Sequence, residues 1–493
     1  MDTLPPPNII EAEKLSKKTI LFGALTLAVS VAFMIVAITV WFYALHNADF
    51  EQQFSGGNGT AAYFLLLALF TGLMITLYFY ILTFHREVAS NPGRIGALFT
   101  ILVLCFTVCL FLEPLGAPAM PLTLSVVLIC LLVDAKLAPI TTVYLGVSLV
   151  LTLVCIGEVD GEKAIREAVY TAVALAVSGF FTMWLMRYRL TRLRLILFSS
   201  LAGLVNIPIF LFVFLINQPA PGTYLGGLAW APVGILGVAA ITLLVQPLLD
   251  RIFNLVSISR LIELCDINHP LLARLYSEAP GTYHHSATVA TLSETCAAAI
   301  GENRYLARAC AYFHDVGKLD AADFFSENQS AGTNPHDQLG PEVSCDIIRS
   351  HTKKGMELCR RFRIPDDIAQ ITIEHHGTLP VSYFYSKAAE LYDGKLPDVD
   401  EFRYSGHLPQ TKISAIVMIC DGSEAAVRAA EKGKPDPEAV SARVAQIIEM
   451  RRAANQFDEC PLTFYDLQII RESIVNSICG LKHERVRYDS KKY

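Results

Sequence analysis

Between residues 19 and 250 the chain passes through one long, uncharged apolar run after another. A bilayer-crossing helix needs roughly 20 apolar residues, with about 17 to 25 tolerated, whereas the helices of a soluble core are shorter and striped. Candidate spans lie near 19–45, 61–84, 96–112, 119–133, 137–157, 167–186, 195–216 and 224–248, a count of eight. The fourth is short, and only Asp134, Ala135 and Lys136 part it from the fifth. If those two are one broken segment, the count is seven and the termini face opposite sides. Pro208 and Pro232 are expected to kink the last two spans.

Lysine and arginine placement separates the two counts, because basic residues accumulate on cytoplasmic loops. With eight spans and the N-terminus inside, the inner segments hold Lys14, Lys17, Lys18, Arg86, Arg94, Lys136, Arg187, Arg189, Arg192 and Arg194. The outer loops hold only Lys163 and Arg166. Ten against two favours eight spans with both termini in the cytoplasm. The tail 1–18 is too polar, and the first run too long, for a cleaved signal peptide. The first outer loop, His46 to Thr60, has no room for a domain. No Asp, Glu, Lys or Arg falls in the middle of a span, which argues against a charge-coupled transporter. Two readings of 19–250 remain, a packed helical anchor in membrane lipid and a sensor that binds a lipid or small apolar ligand.

Residues 251–493 read as an ordinary charged helical domain. Ten of the 12 histidines fall at or after His269. The 12 cysteines include no CxxC pair, and scattered free thiols suit a reducing compartment. A net charge of −6 gives no sign of a nucleic-acid polymer as partner. The stretch 251–280 carries Leu255, Ile258, Leu261, Ile262 and Cys265 at roughly helical spacing and ends at Pro280-Gly281. It is either one helix of the soluble domain or a coupling or dimerising helix. Beyond it, 281–480 reads as an all-helical bundle, with helices over 286–300, 304–312, 338–362, 366–374, 411–431 and 437–452, followed by a tail, 481–493. Pro365 and Pro437 stand at helix starts. The fold class is all-α, a polytopic membrane domain followed by a cytosolic helical domain.

Chemistry concentrates in His285, the pair His314-Asp315, His351, the pair His375-His376, and Asp421. A lone histidine is more often a satisfied core residue than a ligand. Adjacent pairs change that weighing, because neighbouring helical residues sit about 100° apart and two side chains can converge on a centre between them. Imidazole plus carboxylate without thiolate suits iron, manganese or zinc bound for catalysis. Seven donors are too many for one ion and suit two that share a carboxylate.

These strings, with His285-Ser286-x-x-Val289-Ala290, His314-Asp315-Val316-Gly317-Lys318 and His375-His376-Gly377-Thr378, resemble the HD phosphohydrolase superfamily. The longer runs 278–286, Glu327-Asn328-Gln329, Asn334 to Asp337, Tyr383-Phe384-Tyr385 and Phe402-Arg403-Tyr404 are similar to the bacterial seven-transmembrane HD proteins, which are cyclic di-AMP phosphodiesterases. The resemblance implies an HD domain and two divalent transition-metal ions, iron or manganese. His285, His314, Asp315 and Asp421 would hold one ion, and His351, His375 and His376 the other, with Asp315 bridging. His284 is not expected to ligate. Family members commonly carry a large outer domain after the first span, which the short first loop here cannot supply.

Two metal ions suit phosphodiester hydrolysis, because they supply a nucleophile at neutral pH and offset phosphoryl charge. The implied reaction opens cyclic di-AMP to the linear dinucleotide pApA; the Gly-Tyr-Pro signature of cyclic di-GMP enzymes is missing after His376. Asp315 and Lys318 are the catalytic candidates, Lys318 as a point charge on phosphate unless it is an ordinary solvated lysine. His336 and Arg403 are further phosphate or leaving-group candidates, and Tyr383 and Tyr385 either stack on a base or belong to the core. Glu424, one turn past Asp421, is a candidate for orienting a ligand. A homodimer is compatible with the sequence. The rival readings are an HD enzyme on another nucleotide and a membrane receptor or scaffold with an inactive HD fold.

Overall fold

The computed structural model describes residues 17–45, 57–154, 161–186, 192–216, 221–329, 334–391, 397–430 and 436–481. Lys14 and the rest of the first tail, most of the first loop, Arg187, Arg189 and the tail beyond Leu481 lie outside them, as do the side chains of Lys163 and Arg192. Among the described residues there are helices and one isolated bridge, Pro380 to Arg403. The chain divides into two units, Met1–Leu255 and Val256–Tyr493.

The first unit contains α1 (Lys17–Leu45), α2 (Gly57–Phe84), the short α3 (Arg86–Ser90), α4 (Pro92–Leu112), α5 (Leu124–Leu132) and α6 (Ala138–Val154). It continues with α7 (Gly161–Leu185), α8 (Arg192–Leu204), α9 (Asn206–Ile216), α10 (Pro221–Ala229) and α11 (Ala231–Ile252). Among the described residues six helical segments are long and apolar enough to cross a bilayer: 17–44, 60–84, 92–115, 165–185, 193–216 and 225–252. The fourth and fifth expected spans are shorter apolar helices, Ala117–Leu132 and Ala138–Val154. Pro114, Pro118 and Pro121 hold the chain before α5 in 3-10 turns, leaving α5 only 9 residues, about 14 Å of rise. The kinks anticipated at Pro208 and Pro232 are breaks. Neither proline has an N–H for the carbonyl four residues back, and α8 ends at Leu204 while α10 ends at Ala229. Multi-pass insertion follows from these helices.

Packing in this unit suits lipid surroundings. Small hydroxyls are buried and bonded to their own helix: Thr141 to Leu137 O at 2.8 Å, Thr152 to Ser148 O at 3.0 Å, Ser199 to Leu195 O at 2.7 Å. Leu21, Phe84, Phe212 and Leu244 face outward. Glu113 and Glu167, near the ends of their apolar segments, are buried.

The second unit opens with α12 (Ile258–Leu264) and α13 (Pro270–Glu278). The expected single helix is thus two, separated around Asp266, whose carboxylate takes the Asn268 N–H. Both contribute leucines to the unit's core: Leu261, Leu264, Leu271, Leu272 and Leu275. At the centre lies α14 (Pro280–Ala299), packed by α15 (Arg304–Phe313), α20 (Lys412–Ala430) and α22 (Phe464–Leu481). Its inner face is small, with Ala290, Ser293, Cys296 and Ala297, so three neighbours can approach closely. Around this core run α16 (Pro341–Arg361), α17 (Asp366–Ala369), α18 (Ile371–Glu374), α19 (Ser382–Leu391) and α21 (Pro437–Ala453).

Candidate metal centre

The histidines of the cluster come from helices or their ends, and three of the rings are oriented by the backbone of their own segment. His314 ends α15 and donates Nδ1–H to Ala311 O at 2.7 Å. His351, within α16, donates to Ile348 O at 2.6 Å, and His375, after α18, to Ile371 O at 2.9 Å. A bonded Nδ1 fixes the tautomer and leaves Nε2 as the ligand atom. His285, on the buried side of α14, makes the same arrangement with a carboxylate: its Nδ1 lies 2.6 Å from Glu424 Oε2.

The Nε2 atoms converge on Asp315, and they do so in two sets. His351 and His375 approach Oδ1, at 3.4 and 3.5 Å, while His314 and His285 approach Oδ2, at 3.2 and 3.7 Å. Asp421 closes the second set, 3.0 Å from His285 Nε2 and 3.8 Å from His314 Nε2. His376 faces the other Asp421 oxygen at 4.0 Å. Two ligand groups result, Asp315 with His351, His375 and His376, and His285 with His314 and Asp421. The seven residues named from sequence therefore meet in one place. His284 stays outside, exposed and edge-on to Tyr276 and Tyr283.

The donors suit divalent cations. His314 Nε2 and Asp315 Oδ1 are buried with no hydrogen-bond partner, both aimed at the centre. Burial opposes the His314 imidazolium, but Asp315 and Asp421 outweigh it and lift its pKa to about 10. The His285 pKa is raised in spite of burial by hydrogen bonds to Asp421 and Glu424. On the other side burial dominates and drops His351 to about 3, leaving it neutral as a ligand must be. Asp315 is held well below the usual carboxylate range against its burial, by His314 and Lys318.

Lys318 is neither free nor solvated. Its Nζ lies 2.8 Å from both Asp315 Oδ2 and Glu327 Oε1. The run Glu327-Asn328 also holds the start of α14, where Asn328 Oδ1 accepts the Thr282 N–H and Glu327 Oε1 the Thr282 hydroxyl. Gly317 lies so close to α16 that a Cβ there would collide with His351 O and Gly355 N. His336 packs between Phe324 and Phe384, its Nε2 3.0 Å from Phe324 O. Arg403 is engaged with Asp400 at 2.8 Å and Thr378 O at 3.1 Å. Tyr385 packs on Phe402, and Tyr383 is largely exposed.

Sequence reasoning passed over three neighbours of the site. Tyr404 stacks on His376, ring centroids 4.3 Å apart, and its place in the run Phe402-Arg403-Tyr404 was the available signal. Gln456, just after α21, accepts the Thr378 N–H at 3.0 Å and donates to the Thr378 hydroxyl, holding the turn in which Gly377 adopts φ +55°. Arg451 is in the last turn of α21, beside Gly422. Neither Gln456 nor Arg451 had a local signal.

Residues 60–257 match the family described as 7TM receptor with intracellular HD hydrolase, and residues 282–426 match the HD domain. The chain thus carries a region similar to the seven-transmembrane HD family, followed by an HD domain. Within 60–257 lie five of the long apolar segments and both shorter ones, seven in all. The cyclic-di-AMP phosphodiesterase PgpH of Listeria monocytogenes is 37% identical over 376 residues, 76% of this chain and 50% of that protein. PgpH of Bacillus subtilis is 40% identical over 287 residues, 58% of this chain and 40% of that protein. The chain thus spans about half the length, or less, of these curated relatives. A crystal structure of the Listeria PgpH HD domain in complex with cyclic-di-AMP is 43% identical, covering 44% of this chain and 100% of that one, with a TM-score of 0.42.

Proposed function

We propose that the chain is a membrane-anchored, dinuclear-metal phosphodiesterase that opens cyclic di-AMP to pApA. The observation that carries the reading is the division of four imidazole Nε2 atoms between the two oxygens of Asp315, the arrangement a carboxylate bridging two cations requires. The relatives named cyclic-di-AMP phosphodiesterases support the substrate. His285, His314, Asp315 and Asp421 would hold one ion and Asp315, His351, His375 and His376 the other. Iron or manganese suits this thiolate-free set. Bound there, the ions supply a hydroxide at neutral pH and stabilise charge on the phosphoryl oxygens.

The chain's own residues do the positioning. The backbone carbonyls and Glu424 keep His285, His314, His351 and His375 turned toward the centre. Lys318 keeps Asp315 ionised and aligned, since removing its charge would leave a buried carboxylate without its nearest cation. Gln456 and Tyr404 hold the His376 turn. The basic residues of the inner loops support placing the second unit in the cytoplasm, and the bacterial relatives support a bacterial inner membrane.

The test is turnover by the purified full-length chain after chelation and after addition of manganese or iron, on cyclic di-AMP and on cyclic di-GMP. The reading expects metal-restored cleavage of cyclic di-AMP to pApA. Cleavage of cyclic di-GMP alone would overturn the substrate, and no metal-dependent cleavage of either would overturn the enzyme.

A further inference from the structure

Arg451 and Arg452 are neighbours in the last turn of α21 with opposite surroundings. Arg452 is exposed and paired with Glu449, as a surface arginine usually is. Arg451 is half-buried and reaches toward α20. Its Nη2 lies 3.1 Å from where a Cβ on Gly422 would stand, on the turn of α20 that carries Asp421. Its Nε is buried and without a hydrogen-bond partner, and among the described residues the guanidinium makes no ion pair. Burial pushes the Arg451 pKa below its usual value, with Asp421 and Tyr404 acting the other way.

A cation at a helix C-terminus gains from the helix dipole, but it gains as much in water, as Arg452 does. Turning a guanidinium inward without a partner is costly unless an anion arrives to pair with it. The other cation of the site, Lys318, already serves Asp315 and Glu327. Arg451 is left with its donors uncommitted next to a ligand of the candidate centre, and the fork of a guanidinium matches two phosphate oxygens. Gly422 leaves the space in which the guanidinium lies.

We propose that Arg451 forms an anion subsite beside the metal centre, binding phosphate oxygens of the substrate. The identity of the anion as a phosphodiester rests on the reading above; the subsite itself does not. The test uses the full-length, manganese-loaded protein, with inorganic phosphate binding measured by titration calorimetry alongside KM and kcat for cyclic di-AMP. Arg451→Gln is expected to weaken phosphate binding and raise KM about tenfold or more, with a smaller change in kcat and unchanged bound manganese. Arg451→Lys should recover part of the loss. Gly422→Ala, which crowds Nη2, should shift both quantities the same way, and it carries the test if Arg451→Gln does not fold. Unchanged phosphate affinity and KM in a folded variant would overturn the subsite, as would affinity lost only in step with manganese. If wild-type protein binds phosphate but cleaves no cyclic dinucleotide, the phosphodiesterase reading falls while the phosphate titrations still decide Arg451.

Discussion

The two halves of this chain solve burial in opposite ways. In the first unit the buried polar groups are mostly small hydroxyls, several of them bonded to their own helices, and large apolar side chains such as Leu244, 77% exposed, look outward. In the second unit isoleucine, leucine, alanine and valine fill the core, and beside buried hydroxyls a set of buried imidazoles and carboxylates gathers at one point. The solvent explains the difference. Lipid gives no reward for hiding leucine and punishes an unsatisfied dipole, so helices there close their own hydrogen bonds. Water rewards an apolar core, and the second half uses that core to hold charges a metal can use.

The sharpest test of this contrast is Asp315→Ala, which removes the carboxylate that His285, His314, His351 and His375 all approach. Turnover should fall more than about a thousandfold while far-ultraviolet circular dichroism stays near wild type. Near-normal turnover would mean the buried charges of the second half serve folding alone. Gly317→Ala probes how tightly that half is packed around the site. The collision with His351 O and Gly355 N should lower stability by at least about 3 kcal/mol, read as an earlier melting transition and reduced metal binding.

The other two changes set the halves against each other directly. Leu244→Arg places a charge where lipid is expected and should impair insertion by about 2.5–3.5 kcal/mol, read as the inserted fraction in a membrane-integration assay. Phe464→Lys alters a side chain that is 81% exposed in the second unit, and should move its stability by less than about 0.5 kcal/mol. Equal tolerance at the two positions would remove the distinction between a lipid-facing and a water-facing surface.

Much of the site was readable because its ligands come in short-range units. His314-Asp315 and His375-His376 are adjacent, so one helix end delivers two donors and the pairing shows in the string itself. Partnership across the bundle was not readable. Lys318 looked like a phosphate contact, yet Glu327 and Asp315 take its charge. His336 looked available, yet it packs between two phenylalanines. The helices Ser382–Leu391 and Phe464–Leu481 were not anticipated either, although the second contributes Ile470, Ile474 and Ile478 to the core.

What the amino-acid order settled alone was the solvent of each half and the inventory of donors, because apolar run length and residue type are local properties. Only the tertiary structure decided that each oxygen of Asp315 faces its own histidine set and that Arg451 reaches Gly422. Those outcomes depend on where separate helices end and how closely they pack, and nothing within a single segment records the position of its neighbour.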